Sequence, residues 1–213
     1  VDGITVGTFA KDSQNRLLAV KEHLKEGTYL PNAIKRTYIP KAGSPSEDRA
    51  LGIPTVIDRV VQSAVKLVIE PIFEREFSAN SYGFRPGRSC KGALREVERL
   101  LKEGYCHVVD VDIKGYFDNI PHDKLMGMIR ERIADGKVLG IIEKFLKAGV
   151  LEDGIIIDPI TGSPQGGIIS PLLANLYLNP LDWLLASLGL ESVRYADDIV
   201  VLTKDAETAT EAL

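Results

Sequence analysis

Apolar positions recur along this chain with two different periods. From Tyr105 to Ile113 they alternate, with Val109, Val111 and Ile113 on one side and Asp110 and Asp112 on the other, which predicts a half-buried strand. The run Leu190 to Arg194 leads into Tyr195-Ala196-Asp197-Asp198, and Ile199-Val200-Val201-Leu202 leads out. β-branched runs on both sides of an Asp-Asp pair predict a hairpin with the acids at its tip. Arg36 to Lys41 and Arg49 to Pro54 predict a second hairpin, joined through the turn-forming cluster Ala42 to Asp48. Ile155-Ile156-Ile157 reads as a short strand turned by Asp158-Pro159.

The helical period governs the rest. Thr8 to Lys25 reads as a surface helix stopped by Gly27. Thr55 is a candidate N-cap, with Asp58 on the first turn and Val56, Val60, Ala64, Leu67 and Val68 as the apolar face, and Pro71 should break or kink that helix. Ser89 caps a helix carrying Ala93, Val97, Leu100 and Leu101, which Gly104 ends. Pro121 opens a helix with Leu125, Ile129 and Ile133, and Val138 to Gly149 forms another. Ser170-Pro171 starts a last long helix with Leu172, Leu173, Leu176 and Tyr177 as its stripe, bent after Pro180.

With 45% hydrophobic and 26% charged residues, the 213-residue chain can bury one large core or two smaller ones. No apolar run is long enough to span a membrane, so a membrane partner is not expected. Cys90 and Cys106 fit neither a zinc site nor a disulfide framework; reduced thiols and a cytoplasmic location are the expectation. Val1-Asp2-Gly3 does not resemble a natural start, and Glu207 to Leu213 stops inside a helical pattern, so the sequence reads as part of a longer protein. The net charge of -4 conceals an asymmetry: basic residues gather from Lys35 to Lys102, whereas only Arg194 and Lys204 are basic after Glu152. That distribution suits a polyanion held by the first half and metal chemistry in the second, or is a chance arrangement of solvated faces.

Adjacent carboxylates repel, and a divalent cation with oxygen ligands, magnesium best of all, relieves the repulsion. Asp112, on another strand, is the third acid that could reach such an ion. Lys41 and Arg49, near the feet of the first hairpin, could clamp a triphosphate, or simply keep an exposed hairpin soluble. The loop Ser81 to Ser89 interleaves Tyr82 and Phe84 with Arg85 and Arg88, as single-stranded nucleic-acid surfaces do, though aromatics also pin loops to cores. Ser163-Pro164-Gln165-Gly166-Gly167 can bring backbone and one amide close to a ligand at a helix start, or is only a glycine-rich helix entry. The three histidines are scattered and read as surface or core residues.

The order of these pieces resembles the reverse transcriptases. The phrases Ile39-Pro40-Lys41, Leu51-Gly52-Ile53-Pro54, Tyr82-Gly83-Phe84-Arg85-Pro86-Gly87-Arg88-Ser89, Asp112-Ile113-Lys114-Gly115-Tyr116-Phe117-Asp118, Ser163-Pro164-Gln165-Gly166-Gly167 and Tyr195-Ala196-Asp197-Asp198 are most similar to the group II intron-encoded enzymes called maturases. The resemblance implies an α+β right-hand polymerase. Residues 1–104 would be mainly fingers and 105–213 mainly palm, with an antiparallel palm sheet backed by helices and the thumb and maturase regions lying elsewhere in the parent. It implies Asp112, Asp197 and Asp198 as catalytic, metal-binding acids beside the Ile113 carbonyl, two Mg2+ ions for which Mn2+ can substitute, and Lys41, Arg49, Phe117 and Gln165 around a dNTP. Arg85, Arg88 and Tyr195 would meet template and primer. The partners implied are an intron RNA template, a DNA or RNA primer and dNTP, with a homodimer admitted. Ser46-Glu47-Asp48 departs from the family's usual basic or glycine residues beside Arg49. Alternatives are a retron, CRISPR-linked or diversity-generating reverse transcriptase, and a non-catalytic RNA-binding module that helps an intron fold.

Overall fold

The alternating strand predicted around Asp112 forms as β3 (His107–Asp112), at one edge of a three-stranded antiparallel sheet ordered β3-β7-β6, with β6 at Glu191–Tyr195 and β7 at Asp198–Thr203. In the computed structural model, residues 1–41, 44–163 and 166–212 are described; the side chains of 41–47 lie outside that description. These residues fall into two compact units, each made of two separate stretches: 1–68 with 117–170, and 69–116 with 171–213.

The second unit is built on the three-stranded sheet. One face carries Val109, Val111, Ile199 and Val201, packed against Leu181 and Leu185 of α7 (Ser170–Ser187) and Ala209 of α8 (Ala206–Glu211). The other face carries Val193, Tyr195, Val200 and Leu202 and packs against Ala93, Val97 and Leu100 of α4 (Cys90–Lys102). Burying each large side chain of this kind stabilises the fold by about 1.5–3 kcal/mol. Ser89 caps α4 as expected, its hydroxyl accepting from Gly92 N–H at 3.1 Å. Helix α7 runs unbroken through Pro180, so the bend expected there does not end the helix.

The first unit holds a four-stranded sheet ordered β2-β1-β4-β5. Strands β1 (Ile34–Lys41) and β2 (Ser44–Ile53) form the predicted hairpin, with Ile39 opposite Arg49. The second strand starts at Ser44 rather than Arg49, because Ser44 pairs with Lys41 and Asp48 with Pro40, with a register shift between; Ala42 and Gly43 of the expected turn cluster lie outside the described residues. β4 (Val150–Glu152) runs parallel to β1, and β5 (Ile155–Ile157) closes the sheet. β4 follows closely on the helix read as Val138 to Gly149, which forms as Gly136–Leu146. α2 (Ser13–Glu26) ends at Gly27 in the left-handed conformation (φ 75°), as predicted, and follows the short α1 (Val6–Lys11). α5 (His122–Arg130) and α6 (Gly136–Leu146) complete the unit, their buried faces carrying Leu125, Ile129, Ile142 and Phe145.

α3 (Val56–Phe73) corrects the sequence reading twice. It continues past Pro71, and its buried stripe is Val61, Val65, Ile69 and Phe73, while Leu67 and Val68 are 73% and 63% exposed. The stripe also takes in polar Asp58 and Gln62, both buried, which hid it from a hydrophobic count. Asp58 accepts hydrogen bonds from the Tyr29 hydroxyl (2.5 Å), Thr55 hydroxyl (2.6 Å) and Asn32 N–H (3.2 Å), so it does far more than complement a helix dipole.

Candidate active site

The β3–β7 ladder sets Asp112 directly opposite Asp198, and the β6–β7 hairpin sets Tyr195 opposite Asp198. Opposed residues of antiparallel strands point to the same side, with Cβ atoms about 4.5–5.5 Å apart. Tyr195, Asp198 and Asp112 therefore form one row across the sheet, with Asp110 two residues back beside Val200. Asp112 and Asp198 are both exposed. Like charges facing one another on a sheet destabilise it unless a cation or donor intervenes.

Asp197 occupies the two-residue loop between β6 and β7. Ala196, the first loop residue, has φ 61°, and Asp197 does not share that region, the φ pattern of a type II′ hairpin turn. Such turns favour glycine at that position; an alanine there costs about 1–2 kcal/mol. The strain is held in place from two sides. Gly83 lies so close that a Cβ on it would stand 2.2 Å from Ala196 N. From the sheet's other face, Arg194 donates from Nη1 to the Ala196 carbonyl at 2.8 Å.

Asp197 also bears on a neighbour. The Tyr116 phenol, buried and donating to the Ala174 carbonyl at 2.6 Å, is pushed well above the ordinary tyrosine range, chiefly by burial, with the Arg194 charge opposing and Tyr177, Asp197 and Asp182 adding to the rise. The Ile113 carbonyl accepts from Tyr116 N–H at 3.2 Å, which leaves its second lone pair.

The donor set at the head of the sheet is all oxygen and anionic, which suits a hard divalent cation. Among the described residues no group of three or more carboxylate, imidazole or thiolate side chains already encloses a single point. The fit rests on the facing pair Asp112–Asp198, with Asp197 adjacent in the turn.

The first unit carries the residues expected around a nucleotide. Phe117 is 8% exposed, in a 3-10 turn over Tyr116–Asn119. Its carbonyl accepts from Ser163 N–H at 2.7 Å, which ties it to the start of the Pro-Gln-Gly loop. Gln165 itself lies outside the described residues, as does the Lys41 side chain. The far end of that loop is fixed by Gln62, whose Oε1 accepts from Ile168 N–H at 2.7 Å, and by Gly166 (φ 114°), where a Cβ would meet the Gly52 carbonyl at 2.4 Å. Arg49 is exposed on β2. A cavity of about 810 Å³ opens in this unit beside α5, α6 and residues 158–161, and its lining includes no expected site residue.

Of the arginines expected at nucleic acid, Arg85 turns inward. It is buried, its Nε and Nη2 engage Glu74 at 3.0 and 2.7 Å, its Nη1 donates to the carbonyls of Ser78 and Ser81, and it stacks over Phe77. Its donors are spent on shaping the loop. Arg88 is half-buried over Tyr82 and donates to the Ala79 carbonyl. The large apolar side chain that this loop exposes is Phe84, 52% exposed with φ 58°. Sequence reading also passed over Arg194, Asp182 and Asn175, all buried beside the acidic turn. The available signal was a lone arginine in an acidic half, set between the apolar strand positions Val193 and Tyr195.

Comparison with known proteins gives the family. The family model "Reverse transcriptase (RNA-dependent DNA polymerase)" matches residues 39–213. The chain is 46% identical over 180 residues to the group II intron-encoded protein LtrA of Lactococcus lactis subsp. cremoris, covering 84% of this chain and 30% of that protein. It is 39% identical over 186 residues to protein YkfC of Escherichia coli (strain K12), covering 85% of this chain and 48% of the relative. Among solved structures, a partial Cas6-RT-Cas1–Cas2 complex matches with a TM-score of 0.54 and 25% identity over 90% of this chain and 33% of that one. Telomerase from Candida albicans matches with a TM-score of 0.65 over 94% of this chain and 43% of that one; at 11% identity it speaks to fold alone. The chain thus spans well under two thirds of the curated relatives it matches. The antiparallel sheet with its row of acids, the helices behind it and the family match over residues 39–213 place this chain in the reverse transcriptase family.

Proposed function

We propose that the chain is the fingers and palm part of a group II intron-encoded reverse transcriptase that extends a DNA or RNA primer with dNTPs on intron RNA, and that its parent also assists splicing. In this reading fingers come mainly from residues 1–104 and palm mainly from 105–213. The observation that carries it is the register that sets Asp112 opposite Asp198, with Asp197 in the adjoining turn. These acids and the Ile113 carbonyl would hold two divalent cations, Mg2+ or in its place Mn2+. Bound there, the cations supply activation of the primer 3′-hydroxyl and neutralisation of triphosphate charge.

The chain's own residues do the rest. Asp112 and Asp198 fix the donor spacing through the strand ladder, and Asp197 takes its direction from the hairpin turn. Lys41 and Arg49 counter the triphosphate charge, Gln165 touches the incoming nucleotide, and the Phe117 ring lies against the deoxyribose, where it leaves no room for a 2′-hydroxyl. Arg88 and Tyr195 serve template and primer. The compartment proposed is the cytoplasm; none of the described helices is long and apolar enough to cross a membrane.

Magnesium-dependent primer extension by the full-length protein tests the reading. Asp197→Ala and Asp112→Ala should each lower the rate by about 10²–10³-fold, the scale on which losing one preorganised charge-stabilising group acts. Template binding without any metal-dependent extension would instead identify an RNA-binding module.

A further inference from the structure

Behind the acidic turn lies a hydrogen-bonded cluster that packing alone does not require. Arg194, Asp182 and Asn175 are 2%, 4% and 2% exposed. Arg194 donates from Nε and Nη2 to the two carboxylate oxygens of Asp182 at 2.7 and 2.5 Å, a bidentate pair that fixes the plane of the guanidinium. The remaining nitrogen, Nη1, donates to Asn175 Oδ1 and to the Ala196 carbonyl, both at 2.8 Å. Asn175 Nδ2 in turn donates to the Gly83 carbonyl at 2.7 Å. Gly83 is the residue whose missing side chain lets its backbone press on Ala196. The strand that carries Arg194 is tied to the same loop, through Tyr82 N–H to the Arg194 carbonyl at 2.8 Å and Arg194 N–H to the Asn80 carbonyl at 2.9 Å.

The Ala196 carbonyl belongs to the peptide that enters Asp197. Holding that oxygen fixes ψ of Ala196 and φ of Asp197, and so the direction of the Asp197 side chain. Ala196 resists its own φ of 61°, so something outside the turn must hold it there. We infer that Arg194, clamped by Asp182 and by Asn175 with Gly83, is a positioning residue that keeps the strained Ala196 turn in the one conformation that aims Asp197 and Asp198 at a shared cation site. This rests on the polymerase reading above for what the cations do. The buried ion pair is thereby more than a stabilising contact: it transmits the position of α7 to the acids.

The test is Mn2+ binding by the full chain, followed by electron paramagnetic resonance, with primer extension measured in parallel. The variants are Asn175→Ala and Asp182→Asn, each alone and combined with Ala196→Gly. Loss of an outer partner that orients metal ligands costs roughly 10–100-fold in metal affinity. Each single variant should weaken Mn2+ binding about tenfold and lower kcat on the same scale, while KM for dNTP stays within about twofold. Glycine adopts a positive φ without strain, so Ala196→Gly should restore both properties to within about threefold. A purely structural role would lower thermal stability without rescue at a turn residue.

Unchanged Mn2+ affinity in the folded single variants, or no rescue by Ala196→Gly, overturns the inference. So does a failure of both single variants to fold, which would assign the cluster to stability alone. A wild-type chain that neither binds Mn2+ nor extends a primer overturns the polymerase reading instead, before any variant is compared.

Discussion

A methyl group at residue 83 would press into the backbone of the acidic turn, 2.2 Å from Ala196 N and 2.8 Å from its Cα. Neither atom can yield as a flexible side chain would. Gly83→Ala should therefore lower primer extension by about 10²-fold, since small displacements of catalytic groups act on that scale. The measurement is kcat at saturating dNTP. Phe117 permits an opposite test, a gain of function: Phe117→Ala should admit ribonucleotides, read as the ratio of NTP to dNTP incorporation. An unchanged ratio would remove the ring from the sugar-sensing role. At this scale the acids were legible in the sequence, because alternation fixes a strand's faces and adjacency marks a turn. The arginines were not. Arg85 on Glu74, Arg88 over Tyr82 and Arg194 on Asp182 are the same letter in different surroundings, and the acidic partners of Arg85 and Arg194 lie 11 and 12 residues away.

At the scale of elements, most strands and helices followed from period and caps, and the failures share a cause. The buried face of α3 contains Asp58 and Gln62, so tertiary hydrogen bonds decided which side turned inward. Asp58→Ala should destabilise the fold by about 2–4 kcal/mol, because Tyr29, Thr55 and Asn32 donors are left without their acceptor. Urea unfolding followed by circular dichroism would show it. Tyr29 adds a pH signature. Burial first, then the hydrogen bond to and charge of Asp58, raise its phenol well above the ordinary tyrosine range. The unfolded chain loses that proton near pH 10 while the folded chain keeps it. The contribution is therefore whole below that pH and is lost as pH rises beyond it. Tyr29→Phe should flatten the alkaline limb of the stability curve. Among helix caps, Ser89→Ala should cost about 1 kcal/mol by freeing the Gly92 N–H at the start of α4.

On the scale of the whole molecule, family membership and fold were legible from the order of short phrases, and compactness was not. A single boundary after residue 104 is a statement about fingers and palm along the chain; the compact units instead each draw on two stretches. That interleaving depends on partners distant in sequence, such as the parallel pairing of Ile34 with Val150. Local periodicity does not contain such pairings. The sheet of the first unit also ends on β5, where Ile155, Ile156 and Ile157 are 67%, 61% and 52% exposed. An apolar edge strand invites pairing with another chain. Ile156→Lys should raise solubility in a concentration series and leave the urea midpoint unchanged.

The two-stretch construction bears on how the protein is born. Tyr29 meets Phe145 edge-on, with ring centroids 6.1 Å apart, so a nascent chain must wait for residues far downstream before its first unit can close. Until Ser170 has cleared the ribosome, Ile34, Val61 and Val65 lack that second stretch. Translation stalled anywhere between the two segments leaves an open, sticky half, a natural client for chaperones.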